Sequence, residues 1–287
     1  TVDTEGSYGL LHVYMDDPDT PVDEGAEAGD ILTFRIWDHV TGKDYSVQPT
    51  VFTGTYPPIW SADGDISHVN LAAVNSQTIP LQQGWNLISF SVNTCFYKEI
   101  PHPTVPMLEG LEYVHVGSIA EVLTSIAGKY EVVRGFDRYG AHTYDPTLSD
   151  DFNDLTYLAP GYGYWIKMKE AGELTLRGSR VGMGKSLDLV GGWNLVGYWP
   201  DVVYYTGTKA PAMTFATPPS PMFSNHVDSL MKVLKSLEGN VEVIRGFDAD
   251  GYHSFKPDVP AFINDLNYLG PGYGYWLRVK ESGSLHY

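Results

Sequence analysis

Apolar and polar positions along the chain fall into short runs punctuated by Gly, Pro, Asn and Asp, the pattern of strands joined by tight turns. From Thr78 to Phe90, Trp85 and Leu87 lie on one face and Ile88 and Phe90 on the other, which predicts a strand buried on both sides. Ser118-Ile119-Ala120-Glu121 forms a capping box. Ile119, Val122, Leu123 and Ile126 follow at helical spacing, and Gly128 stops the helix. Leu230, Val233, Leu234 and Leu237 repeat that stripe before Gly239. A hairpin is predicted over Glu131–Phe136, with its turn at Asp137–Gly140 and a return through His142 and Tyr144. The segment Pro160-Gly161-Tyr162-Gly163-Tyr164-Trp165 opens a further strand, in which glycine between aromatics permits close backbone approach.

These elements occur twice. Gly84-Trp85-Asn86-Leu87 recurs as Gly192-Trp193-Asn194-Leu195, and Val133-Arg134-Gly135-Phe136-Asp137 recurs as Ile244-Arg245-Gly246-Phe247-Asp248. Pro160 to Trp165 recurs unchanged as Pro271 to Trp276, and 11 of 15 positions are identical between 153–167 and 264–278. Such self-similarity marks two copies of one module, over 78–184 and 185–287. Residues 1–77 differ in kind, with 13 acidic side chains against two basic ones, Arg35 and Lys43. Tyr8–Tyr14, Ile31–Trp37 and the stretch from Ile66 to Leu71 read as strands around an acidic loop from Asp16 to Asp30. The expected fold class is therefore mainly β: an N-terminal immunoglobulin-like sandwich, then two homologous β-rich modules with one short helix each.

The Gly-Trp-Asn-Leu-Ile-Ser-Phe start, the Asn153-Asp154-Leu155 turn and the Pro-Gly-Tyr-Gly-Tyr-Trp finish resemble a module of secreted bacterial proteins. In those proteins it stands in tandem behind immunoglobulin-like or cohesin-like sandwiches. The stretch from Asp16 to Pro21, with Glu24-Gly25-Ala26 and Gly29-Asp30, is similar to such a sandwich. The resemblance implies an extracellular or cell-surface location and a non-catalytic role, and it brings no catalytic residues with it.

Charge sharpens this reading. Eighteen Lys and Arg against 35 Asp and Glu give a net charge of −17, which opposes binding to nucleic acid or to an anionic membrane surface. No apolar run is long enough to span a bilayer as a helix. The chain starts at Thr1 rather than Met, as a processed product or an excised fragment would. Cys95 is the one cysteine, so neither an intrachain disulfide nor a cysteine metal cluster is expected.

Several side chains are candidates for chemistry. Asp16, Asp17, Asp19, Asp23 and Glu24, with Glu27 and Asp30 beyond them, cluster oxygen ligands of the kind that calcium takes, although the spacing departs from an EF-hand. Calcium is accordingly the one cofactor the sequence admits. Asp248-Ala249-Asp250-Gly251 and its counterpart at Asp137 share turn chemistry and are read as hairpin turns. His142 and His253 occupy equivalent positions without a second ligand at metal spacing. Cys95, with His102 and His115 beyond it, lacks any sign of an oxyanion hole and has no counterpart in the second copy. Gly184-Lys185-Ser186 is an incomplete phosphate loop.

Aromatic rings stack on sugar faces, and they are abundant. Trp85, Trp165, Trp193 and Trp276 recur in the repeat and are expected to be core anchors. Trp60, Trp199, Tyr204, Tyr205, Phe215 and Phe223 lie outside the repeated positions and are the expected exposed surface for a polysaccharide or protein partner. The leading expectation is a non-enzymatic extracellular structural protein, a subunit of a surface layer or exported fibre. It would join copies of itself or other cell-surface proteins head to tail by strand addition, through Thr1 and Val2 or through Leu285 and Tyr287. The alternative is a carbohydrate-binding accessory region of a larger secreted enzyme.

Overall fold

The computed structural model describes residues 11–17, 19, 25–30, 32, 34–38, 43–52, 60–64, 66, 69–73, 75–93, 119–155, 157–181, 186–200, 202–207 and 224–287. The chain divides into two compact units, Thr1–Leu71 and Ala72–Tyr287, and its described elements are mainly strands. In the first part of the chain, β1 (Phe34–Asp38), β2 (Lys43–Phe52) and β3 (Val69–Ala73) form a sheet in that order, with β1 antiparallel to β2. A strand was expected over Tyr8–Tyr14, but its described part, 11–14, is not a strand; it leads into an isolated parallel bridge between Met15 and Ala26.

Both repeats lie within the second unit. The first contributes β4 (Asn75–Leu81), β5 (Gly84–Ser89), β6 (Val92–Asn93), β7 (Tyr130–Asp137), β8 (Gly140–Tyr144), β9 (Gly163–Met168) and β10 (Gly172–Arg180). The second contributes β11 (Leu187–Leu189), β12 (Gly192–Gly197), β13 (Val203–Tyr205), β14 (Ser224–His226), β15 (Val241–Asp248), β16 (Gly251–Phe255), β17 (Tyr268–Leu269), β18 (Gly274–Val279) and β19 (Gly283–Leu285). Each module is built on a four-stranded antiparallel sheet, in the order β5-β9-β7-β8 or β12-β18-β15-β16. The two sheets share a bulge at the same place, before Val132 and before Val243. A second ladder closes each module. It pairs β4 with β10 over seven residues in the first and β11 with β19 over three in the second.

The apolar stripes after the first strands fold as expected onto the core, but not as two helices. In the first module, one α-turn, α1 (Ile119–Val122), leads into a 3₁₀ turn over Thr124–Ile126; Ser118 of the capping box lies outside the described residues. In the second, the stripe is two 3₁₀ turns, Leu230–Lys232 and Lys235–Leu237, the first capped by Ser229, whose hydroxyl accepts the Met231 amide. So short a segment cannot recover the cost of nucleating an α-helix on its own. Burial of Leu230, Leu234 and Leu237, each at most 2% exposed, holds it in place instead. Gly128 and Gly239 end both segments at a φ of +77°.

Candidate functional site

Each repeated motif has a local task. Gly84 and Gly192 turn the chain at positive φ. Two residues on, the Asn86 carboxamide accepts the Gln82 amide and donates to the carbonyls of Gln82 and Gly84. Asn194 does the same with Val190 and Gly192. In the hairpin, Asp137 Oδ1 accepts the Tyr139 amide and lies 3.0 Å from His142 Nε2, while Oδ2 accepts the Tyr157 hydroxyl at 2.9 Å. A buried carboxylate with three donors is satisfied without a metal or a substrate. Asp248, Asp250, His253 and Tyr268 repeat the arrangement. Burial first, and then neighbouring Tyr and Asp side chains, push the Tyr157 and Tyr268 phenols far above their ordinary value. The hairpin-turn expectation holds at Asp137 and Asp248, and the histidines serve that turn.

The Asn-Asp-Leu motif seals a sheet edge. Asp154 accepts the Thr143 amide, the Leu155 amide donates to the Thr143 carbonyl, and Asn153 bonds both the amide and the carbonyl of Asp145. Asp265, Leu266 and Asn264 treat Ser254 and Lys256 in the same way. The outer edges of β8 and β16 are thereby occupied by their own modules, a device that blocks further strand pairing. Leu155 and Leu266 then pack over Gly135 and Gly246, where a Cβ would come within 3.0 Å of each leucine.

The Pro-Gly-Tyr-Gly-Tyr-Trp motif joins the modules. The Ser89 amide donates to the Gly272 carbonyl at 2.9 Å, and the Gly197 amide to the Gly161 carbonyl at 2.8 Å. Bridges pair Ile88 with Tyr273 and Tyr162 with Val196, each the counterpart of the other in the repeat. Glycine is needed at this seam: a Cβ on Gly274 would meet the Ile88 carbonyl oxygen at 2.8 Å, and one on Gly163 would meet Leu195 at 3.0 Å. Ser89, fully buried, donates its hydroxyl to the Tyr273 carbonyl and accepts the Tyr198 amide. Trp165 packs on Phe247 and Trp276 on Phe136, both at 5.1 Å. The contact is isologous in pattern, as between the halves of a two-fold dimer.

Around this seam the tryptophans stand at the surface rather than in the core. Trp85 is 37% exposed, Trp165, Trp193 and Trp276 are half-buried, and the core-anchor expectation is corrected for all four. Trp193 meets Trp276 edge to face at 89°, and the Arg245 guanidinium lies over the Trp193 ring at 5.0 Å. Trp193, Arg245, Tyr252, His253, Ser254 and Trp276 line an open cleft of about 590 Å³. The first module holds Trp85, Trp165 and Arg134 in the same arrangement, with Ala141 in the place of Tyr252.

The side chains proposed from the sequence as a binding surface are not brought together. Trp199 is 1% exposed, buried because the Tyr287 ring packs on it at 4.5 Å, and Trp60 is 8% exposed. Neither is a surface platform. Tyr204 and Tyr205 are half-buried on β13 against the core, and Phe215 and Phe223 lie outside the described residues. Leu285 is fully buried opposite Leu187, and Tyr287 packs between Tyr198 and Trp199 while donating to the Gly197 carbonyl. These two residues complete their own module and are not free to be donated; Thr1 and Val2 lie outside the described residues. In the acidic loop, Asp16 accepts the Gly25 amide and Asp17 the Asp19 amide, so both carboxylates turn back on their own loop. Asp23 and Glu24 lie outside the described residues, among which no group of three or more His, Cys, Asp or Glu could hold a metal ion. No described helix is long and apolar enough to cross a membrane. No protein-family model, curated protein or solved structure with which the chain was compared matches it.

Proposed function

We propose that the protein is a non-enzymatic structural component of an extracellular assembly, a surface layer or an exported fibre. The observation that supports this most is the reciprocal seam. Main-chain bonds, glycine contacts and crossed Trp–Phe pairs weld two repeats into one block, an economical way to make a stiff element from a small module. The sealed edges of β8 and β16 fit the same role, because they leave those sheets closed to unplanned pairing and confine assembly to other contacts. The partners are copies of the same chain or other cell-surface proteins. Electron microscopy of the native material, with sedimentation of the purified protein, tests the proposal. Ordered fibres or layers, and concentration-dependent association, are expected. A monomer at every concentration, together with native material lacking any ordered polymer, would overturn it.

A further inference from the structure

The cleft beside the seam suits a ligand of one kind. We infer that Trp193, Trp276, Tyr252 and Arg245 form a binding site for a neutral pyranose oligosaccharide, and that only the second repeat is equipped for it. The cleft's volume of about 590 Å³ falls within the roughly 300–1,000 Å³ of small-molecule sites. Its walls are aromatic. Trp193 and Trp276 meet edge to face at 89° and together form one aromatic corner of the cleft. Tyr252, 68% exposed, makes the third wall and is braced from behind by Phe247 at 4.9 Å and by Trp165 of the first repeat at 6.4 Å.

The polar groups decide what those walls hold. The guanidinium of Arg245 offers several N–H donors in a rigid plane, a match for adjacent hydroxyl groups. It is steadied over the Trp193 ring at 5.0 Å, so little freedom is lost when a ligand binds. Ser254 adds a hydroxyl, and His253 is held in place through its bond to Asp248. A sugar ring combines the two surfaces this site offers contacts for: a C–H face that leaves water to lie on an aromatic ring, and an edge of hydroxyls.

Charge removes the competitors. Arg245 repels an organic cation from the aromatic walls. Arg278, the neighbouring cation at 5.9 Å from the Trp193 ring, is matched by Glu242 at 2.8 Å. Asp248 and Asp265 stand behind His253, and a chain of net charge −17 repels a polyanion. A neutral ligand remains.

The first repeat supplies the internal comparison. Trp85 and Trp165 also meet at 89° and 6.1 Å, and Arg134 lies 5.3 Å from the Trp85 ring, but Ala141 leaves the third wall unbuilt. Alanine is therefore tolerated at this position by the same backbone, and Tyr252→Ala should fold. Ala141→Tyr should in turn build a second site, its ring resting on Phe136 and Trp276 as Tyr252 rests on Phe247 and Trp165.

Titration calorimetry of the full chain with cellohexaose, maltohexaose, mannohexaose and xylohexaose tests this, with polygalacturonate and decaproline as contrasting probes. At least one of the four neutral hexasaccharides should bind at one site per chain. Tyr252→Ala should weaken it by about tenfold or more, the scale of losing one aromatic contact with its buried area. Ala141→Tyr should raise the stoichiometry to two. The inference is overturned if none of the four binds, if Tyr252→Ala binds as well as the unaltered protein, or if polygalacturonate or decaproline is the ligand lost with Tyr252. None of these readouts depends on whether the protein polymerises.

Discussion

Trp165 of the first repeat packs on Phe247 of the second at 5.1 Å and 57°, and the reciprocal pair, Trp276 on Phe136, has the same separation at 58°. Two contacts made by equivalent residues in opposite directions give the seam a two-fold character, each copy of the motif packing on the other. A double-mutant cycle on Trp165→Ala and Phe247→Ala should give a coupling of about 0.5–1.5 kcal/mol, the worth of an aromatic pair beyond its buried area. Additive losses in denaturant unfolding would show that the rings merely touch.

Glycine at the seam is predicted to be irreplaceable. A Cβ on Gly197 would lie 2.6 Å from the Tyr162 carbonyl oxygen and 2.8 Å from Ser89 Cβ. Backbone cannot yield as a flexible side chain does, so Gly197→Val should destabilise the protein by about 3 kcal/mol, the upper part of the range for overpacking. Gly239→Ala, where a Cβ meets nothing within 4 Å but φ is +77°, separates conformational strain from collision and should cost about 1 kcal/mol. Equal losses from the two would remove the packing argument.

Removing the edge seal should affect association as well as stability. Asp154→Ala leaves the Thr143 amide on β8 without its carboxylate acceptor, a loss of about 0.5–1.5 kcal/mol at this exposed site, and it opens that edge to pairing. Light scattering should show new self-association together with the lower unfolding midpoint. The Ser254 amide holds the Asp265 carboxyl below its usual range. That contribution is complete above the ordinary carboxylate value near 4 and is lost as pH falls through the lower folded value.

The tyrosines set the opposite limit. Burial raises Tyr157, Tyr268 and Tyr275 well above the ordinary value near 10. Unfolded, these phenols ionise near pH 10; folded, they do not, so stability is unaffected below that pH and falls above it. Each contributes a slope of about 1.4 kcal/mol per pH unit once the unfolded phenol has ionised. Tyr157→Phe should flatten the alkaline limb while lowering stability near neutrality by about 1.5–3 kcal/mol, because Asp137 loses a donor. An alkaline limb unchanged in the Phe variant would contradict this assignment.

The turns, hairpins and strand-opening motifs were legible because their causes are local: Gly84, Asp137 and Gly140 act on residues within a few positions. The fate of the tryptophans was not. Trp85 stands near the start of a strand in which Leu87 and Ile88, with Phe90 just after it, are buried as the apolar pattern indicates, yet its own side chain is 37% exposed, with Trp165 and Arg134 as ring partners. Trp199 is buried by Tyr287, at the far end of the chain, and no periodicity around residue 199 reports that. Glycine between aromatics signalled a close approach at 163 and 274 without naming what approaches. The cleft left one trace in the sequence, the Tyr252–Ala141 difference, and it stands among several others between the two hairpins, Arg138-Tyr139 against Ala249-Asp250 included.

Whether the two repeats are one body is tested most directly by native-state hydrogen exchange on an Ile166→Ala variant of the full chain. Ile166 is fully buried in the first module, and its truncation should cost about 2–5 kcal/mol. If the seam makes the modules unfold together, the amides of Ile244 and Leu277 in the second module lose the same protection free energy as those of Val133 in the first. Undiminished protection at Ile244 and Leu277, beside a full loss at Val133, would show two independent domains and contradict the account.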